Sequence, residues 1–214
     1  MKIATLIAHT QLAFFLLIAG CSSSQSKDNG SRTDSVKTPA KILIVYLSRT
    51  NNTKAIAEII HSNAGGTMVA LELEKPYPEN YKATVEQVSK KNETGYLPPL
   101  KTKIDSIEKY DVVFIGFPTW GMKLPPPMKS FLKQHDLSGK TIIPFNTNAG
   151  YGVGSGFQTI KELCPDSKVL EGFEIKGGVE RDGVHFVIKD EKAKEAEIKV
   201  KEWLEKLKVN KEGP

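Results

Sequence analysis

Six consecutive residues, Ile42-Leu43-Ile44-Val45-Tyr46-Leu47, are apolar or aromatic without a break. A strand wetted on one face alternates, so an unbroken run reads as a strand buried on both faces, the habit of parallel sheets. Ser48-Arg49-Thr50-Asn51-Asn52-Thr53 follows at once, a turn of hydroxyls and amides. Ile56, Ile59 and Ile60 then recur at helical spacing. Strand, polar turn and helix start together make an anion site. The first helical N–H groups have no backbone partner, and the helix dipole favours negative charge there. Ser48, Thr50 and Thr53 add hydroxyl donors, and Asn51 and Asn52 add amides. The same residue types also serve plain helix capping, and this stretch alone leaves both readings open.

The pattern repeats along the chain. Thr67–Leu73, Val112–Ile115, Thr141–Phe145 and the pair Val169-Leu170 and Phe173–Ile175 read as further strands. Between them come a helical stripe of Tyr81, Val85 and Val88, a helix opened by Pro125-Pro126-Pro127, and a short helix over Gln158–Leu163. A last helix from about Glu191 to Leu207 is expected to bury Ala193, Ala196, Val200, Trp203, Leu204 and Leu207. Strands alternating with helices predict an α/β fold with a doubly wound parallel sheet in one domain. Residues 177–188 read either as a loop or as a small hairpin turned at Asp182-Gly183.

Residues 1–20 have the character of a targeting segment. Lys2 supplies a positive start, and the apolar run Leu12–Ala19 is too short to span a bilayer. Ile18-Ala19-Gly20-Cys21 resembles the bacterial lipoprotein signal, cut before its cysteine. That resemblance implies lipid on Cys21 and a protein anchored at the cell envelope without spanning it. Ser22 stands where an aspartate signals inner-membrane retention, which favours the outer membrane. Residues 21–39 lack the apolar area to fold and read as a flexible tether. Residues 40–209 form the folded domain, and 210–214 a tail. The net charge of +5 falls to +4 without residues 1–20, which hold one lysine. That excess is spread out and has no aromatic-basic interleaving, so no nucleic-acid partner is expected.

In an open parallel sheet, ligands sit beyond the carboxyl ends of the strands. Three loops occupy that edge. The first is Ser48–Thr53. The second is Gly116–Lys123, in which Trp120 offers an indole for a planar ring to stack on. The third is Asn146–Gly156, whose four alternating glycines let backbone approach a ligand closely. Rival motifs fail. No G-x-G-x-x-G occurs, and Ser138-Gly139-Lys140-Thr141 lacks the earlier glycine of a P-loop and leads into a strand. His61, His135 and His185 have no partner at metal spacing, so no metal is expected. Ser155 lacks the strand-to-elbow setting of a hydrolase nucleophile. Cys164 reads as a small buried residue.

These loops carry a family resemblance. Ser48-Arg49-Thr50-Asn51-Asn52-Thr53 resembles the flavodoxin phosphate loop, T/S-x-T-G-x-T, with Asn51 where glycine is usual. Pro118-Thr119-Trp120-Gly121-Met122 is similar to the flavin-stacking loop. Asn146, Thr147, Asn148, Gly150, Tyr151 and Gly152 are similar to the second isoalloxazine loop. Lys75-Pro76-Tyr77-Pro78 adds a likeness to short bacterial flavodoxin-like proteins. The resemblance implies a flavodoxin-like sheet of five strands in the order 2-1-3-4-5 within a three-layer sandwich. It further implies noncovalent flavin mononucleotide (FMN), held by Ser48–Thr53 and by these residues of the other two loops. It implies electron transfer, with a redox protein or a quinone-like acceptor as partner.

Three functions compete: a tethered FMN electron carrier, an NAD(P)H-dependent FMN reductase, and a binding module that has lost the flavin. Bleaching by NADH or NADPH alone marks the reductase, and a protein that takes up no FMN marks the module. The two flavin loops hold no acid and one lysine, Lys123. That predicts a less negative second reduction potential than in an acid-ringed flavodoxin, because a cation favours the anionic reduced ring.

Overall fold

The computed structural model describes residues 40–209. The expected signal segment, Cys21, the tether and the tail lie outside the described residues.

Six strands form one parallel sheet: β1 (Ile42–Tyr46), β2 (Thr67–Ala70), β3 (Val112–Pro118), β4 (Thr141–Asn148), β5 (Lys168–Val169) and β6 (Phe173–Lys176). Their order is β2-β1-β3-β4-β5, and β6 also pairs with β4. The helices are α1 (Asn52–Ala64), α2 (Tyr81–Thr94), α3 (Pro126–Gln134), α4 (Gly156–Leu163) and α5 (Asp190–Leu207). This is the doubly wound α/β sheet that the alternation predicts.

Period-two alternation sorts β1 between two cores. Ile42, Ile44 and Tyr46 pack with Ile56 and Ile60 of α1 and Ala196, Val200 and Trp203 of α5. Leu43, Val45 and Leu47 pack with Met128 and Phe131 of α3 and Ile160 of α4. Because helices cover both faces, polar alternation is absent from the run, and three layers result. On α5, Ala196, Val200, Trp203 and Leu204 are buried as expected, whereas Ala193 and Leu207 are only half-buried. Cys164 is buried, and that burial pushes its thiol up to about 11.

The fifth position of the sheet is filled by two short strands. Val169 pairs with Ile142 and Phe173 with Phe145. Residues 170–172 therefore face only Ile143 and Pro144, an insertion of one residue. Leu170 donates to the Ile142 carbonyl, at 2.9 Å, so the edge of Ile142 faces this strand. Pro144, two residues on, faces the same way and has no N–H to give. The ladder breaks where that donor is missing. The aromatic ring of Phe157 packs where a Cβ on Gly172 would stand, 2.5 Å away, so the bend needs a residue without a side chain. One inserted residue exchanges the two faces of the strand that follows. It thereby decides which side chains of β6 and of residues 177–188 reach the carboxyl edge.

Residues 177–188 form a small hairpin. Val179 and Val184 make a single antiparallel bridge around a 3-10 turn at Glu180–Asp182, closed by Gly183 at φ 74°.

Candidate functional site

The first loop leaves β1 and enters α1 through Asn51, which is left-handed at φ 63° and ψ −2°. Asparagine tolerates this region better than most residues, which explains how it stands in a glycine position. No acidic side chain occupies the first turn of α1. Among the described residues, nothing accepts from the N–H groups of Asn52 and Thr53. Both N–H groups are thus available to an anion.

The hydroxyls divide their duties. Ser48 Oγ accepts from the Lys54 N–H at 3.3 Å and keeps its own proton to donate. Thr50 Oγ1 accepts from Asn52 Nδ2 at 2.9 Å and keeps its proton likewise. Thr53 and Thr147 share a bond of 2.8 Å in the buried floor, which leaves one hydroxyl proton of the pair to a ligand. Thr50, Thr53, Thr147 and Gly177 line a cleft of about 110 Å³ at this end.

Asn52 and Arg49 bond to protein. Asn52 Nδ2 donates to Thr50 Oγ1 and to the His185 carbonyl, and its Oδ1 accepts from the Val187 and Ile188 N–H groups. That fills both donors and both lone pairs of the amide. Arg49 donates to Glu180 at 2.6 Å and to the carbonyls of Pro78 and Glu79. These two side chains brace the loop against residues 78–79 and 180–188, while the backbone and hydroxyls face the cleft.

The second loop is a tight turn. Gly121 and Met122 both have positive φ, 57° and 56°, and Lys123 N–H closes onto the Trp120 carbonyl at 3.2 Å. Two left-handed central residues are the mark of a type I′ turn, and at Met122 that conformation is strained for a side chain. Trp120 meets Tyr77 edge-on, with ring centroids 5.3 Å apart at 87°. The Tyr77 hydroxyl is buried with no hydrogen-bond partner among the described residues, and burial pushes its pKa up to about 12. Lys91 caps the Tyr77 ring at 4.1 Å.

The third loop is shaped by two amides. Asn146 is fully buried and donates to the Phe117 carbonyl and Thr119 Oγ1, so it ties β3 to β4 beneath the ring end. Asn148 Oδ1 accepts from the Gly150 and Gly152 N–H groups, while its Nδ2 donates to Asn146 and Glu174. Gly150 and Gly152 stand at φ 101° and 82°. Tyr151 is 67% exposed. With Thr119, Gly121, Met122, Asn148 and Gly152 it lines a cavity of about 230 Å³ at the ring end.

The expected residues therefore converge, with a division of labour. Thr50, Thr53 and Thr147 border the phosphate end, and Pro118, Thr119 and Trp120 line the same cleft beside it. Gly121, Met122, Asn148, Tyr151 and Gly152 border the ring end. Ser48, Asn51, Asn146 and Gly150 shape the walls from behind. Pattern reading missed Glu174, Gly177, Gly178, Glu180 and Tyr81. Tyr81 and Glu180 line both ends. A signal existed, since residues 177–180 leave the last strand at the same carboxyl edge. The expectation of an acid-free ring is thereby corrected. Glu174 sits against Asn148, and Glu180 enters the cleft paired with Arg49. Lys123 instead lines a separate cavity on the α2 side of Trp120.

Among the described residues no group of three His, Cys, Asp or Glu side chains is placed to hold a metal ion. No helix among them is long and apolar enough to cross a membrane.

A doubly wound parallel sheet with an anion loop after β1 and ring-binding loops after β3 and β4 defines a nucleotide-binding protein of the open α/β class. The family model described as flavodoxin matches residues 41–191, and the chain belongs to that family. Among solved structures it is similar to a candidate flavoprotein of Bacteroides eggerthii, with 28% identity, a TM-score of 0.64, and coverage of 80% of this chain and 99% of that one. A flavoprotein of Lactobacillus acidophilus, solved in complex with FMN, shares the fold at 21% identity and a TM-score of 0.58. The match covers 63% of this chain and 93% of that one. No curated protein matches the chain.

Proposed function

We propose that this chain is an FMN-binding electron carrier held at the bacterial cell envelope by lipid on Cys21. The observation that carries the cofactor reading is the first loop. Left-handed Asn51 and two unpartnered N–H groups start α1 where the Thr50 and Thr53 hydroxyls line one small cleft, with the Ser48 hydroxyl held against the Lys54 N–H behind it. Such a donor set fits a phosphate monoester, and no acidic side chain in that turn opposes it. Bound FMN supplies reversible one- and two-electron transfer. Trp120 and Tyr151 offer aromatic surface to its ring, and Gly150 and Gly152 keep side chains out of its path. Asn146 and Asn148 hold the third loop at a fixed distance from the second. Membership of the flavodoxin family and the FMN complex of the Lactobacillus relative support this reading. A redox protein or a quinone-like molecule completes the circuit as partner.

The full chain is expected to purify yellow or to take up FMN. Replacing Ser48, Thr50 and Thr53 together by Ala and Val should weaken FMN far more than riboflavin, since only FMN carries a phosphate. Equal losses for both ligands, measured by flavin fluorescence, would remove the phosphate assignment. Trp120→Ala should weaken both ligands, by about 0.5–1.5 kcal/mol beyond lost burial.

The anchor rests on Ile18-Ala19-Gly20-Cys21 and the polar residues that follow it. Metabolic labelling with a fatty acid should mark the native chain and leave Cys21→Ala unmarked. An unlabelled, freely soluble native protein would refute the anchor.

A further inference from the structure

Lys75-Pro76-Tyr77-Pro78 lies between β2 and α2, outside the three loops of the cleft. Each proline fixes its own φ and keeps the residue before it extended, so all four residues are restrained by sequence alone. The Pro78 carbonyl accepts from Arg49 of the first loop at 2.9 Å and from the Thr84 hydroxyl of α2 at 2.8 Å. A stiff segment is thereby tied to the first loop and to α2.

Tyr77 carries that bracing to the second loop. Its ring meets the Trp120 indole edge-on, with centroids 5.3 Å apart at 87°, and Lys91 of α2 covers the ring at 4.1 Å. Trp120 lines the flavin cleft, whereas Tyr77 lines neither end of it. Tyr77 therefore reaches the site only through Trp120. Trp203 anchors its indole by donating to the Glu171 carbonyl at 3.0 Å. The Trp120 indole makes no such bond among the described residues, so packing alone sets its angle, and Tyr77 is the aromatic side chain packed against it. An indole free to rotate would lose that freedom when a flat ring stacks on it, and binding would weaken.

We propose that Tyr77 is a positioning residue for the flavin ring, holding the Trp120 indole at its stacking angle from outside the cleft. This rests on the FMN reading, because it says how Trp120 comes to meet the ring. The Tyr77 hydroxyl, buried without a partner, takes no part.

The chain has two tryptophans, so labelling the full chain with fluorotryptophan gives one fluorine resonance for each, and Trp120→Phe assigns them. In the flavin-free chain, Tyr77→Leu should broaden and shift the Trp120 resonance and leave that of Trp203 in place. The same variant should weaken FMN and riboflavin alike by about two- to tenfold, the equivalent of one edge-on aromatic pair. It should also change the visible circular dichroism of bound flavin. Tyr77→Phe should match the native chain in every one of these measurements, since the ring holds the indole. In a Trp120→Ala background, Tyr77→Leu should cost no further affinity, because its effect passes through the indole. An undiminished further loss in that background, equal losses in the Phe and Leu variants, or an unmoved Trp120 resonance would each overturn the proposal. Should Tyr77→Leu not fold, Pro76→Ala, at an exposed position, keeps the ring and loosens the segment. It should shift the Trp120 resonance in smaller measure, and an unmoved resonance there would overturn the proposal too. If the chain takes up no flavin, the FMN reading fails on its own, and the Trp120 resonance still decides whether Tyr77 holds the indole.

Discussion

The two ends of the cleft are built by different means. At the phosphate end, a buried strand runs straight into a helix, and most ligand-facing groups lie within the six residues Ser48–Thr53, with Thr147 added from β4. Their geometry follows from backbone that the sheet and α1 hold in place. At the ring end, the walls come from the loops after β3 and β4 and from Val179, Glu180 and Arg181, and much of their surface is exposed. Those walls are fixed by long-range side-chain bonds such as Arg49 to Glu180 and Asn148 to Glu174. The phosphate end should therefore be stiff and tolerant of distant changes. The ring end should depend on single side chains far away in sequence.

Asn52 joins the two ends, so cutting it gives the sharpest test. Asn52→Leu leaves the Val187 and Ile188 N–H groups and the His185 carbonyl without their partner. We expect a loss of about 2–4 kcal/mol in urea unfolding, the sum of several modest bonds and their desolvation. Hydrogen exchange should accelerate at Val187 and Ile188 and stay slow in β1. Uniform acceleration across both regions would break the distinction between the two ends.

A smaller effect is expected at Gly178. A Cβ there would stand 1.9 Å from the His185 carbonyl oxygen, and backbone on both sides leaves little room to yield. Gly178→Ala should cost about 1–3 kcal/mol and weaken FMN and riboflavin alike, since it displaces the hairpin and spares the hydroxyls. A selective loss of FMN would assign this hairpin to the phosphate instead.

The smallest effect concerns Lys123. It lines the cavity on the α2 side of Trp120 and not the ring-end cavity. Lys123→Glu should lower the second reduction potential of bound flavin by roughly 20 mV or less at low salt, and by less still at high salt. A much larger drop in a redox titration would bring Lys123 into the ring end. Glu174, bonded to Asn148, and Glu180, in the cleft, are acids that a reading of two loops alone does not contain.

Much of the fold and half of the site are legible in the chain itself. Ile42–Leu47 shows no alternation because both faces of β1 are covered, and this physical fact is written in six letters. The hydroxyl-rich turn and the helix behind it are local for the same reason. Other features are not local. Thr67–Leu73 reads as one strand, yet its ladder with β1 stops at Ala70 and Leu73 bridges Leu100 instead. The alternation of Tyr81, Val85 and Val88 predicts a buried stripe, yet only Val88 is buried, and Tyr81 turns into the cleft.

What the sequence determined alone was the sheet class, the phosphate end and the family likeness, because strand burial and helix-start chemistry depend on neighbours a few residues apart. What the tertiary structure decided was the ring end. Pro144 withholds an N–H from the strand beside it, one inserted residue exchanges the faces of β6, and Glu174, Glu180 and the Asn52-bound hairpin arrive at the site. Hydrogen bonds between residues more than a hundred positions apart, such as Arg49 to Glu180, leave no periodic mark in a chain. They exist only once the sheet has brought its strand ends to one edge.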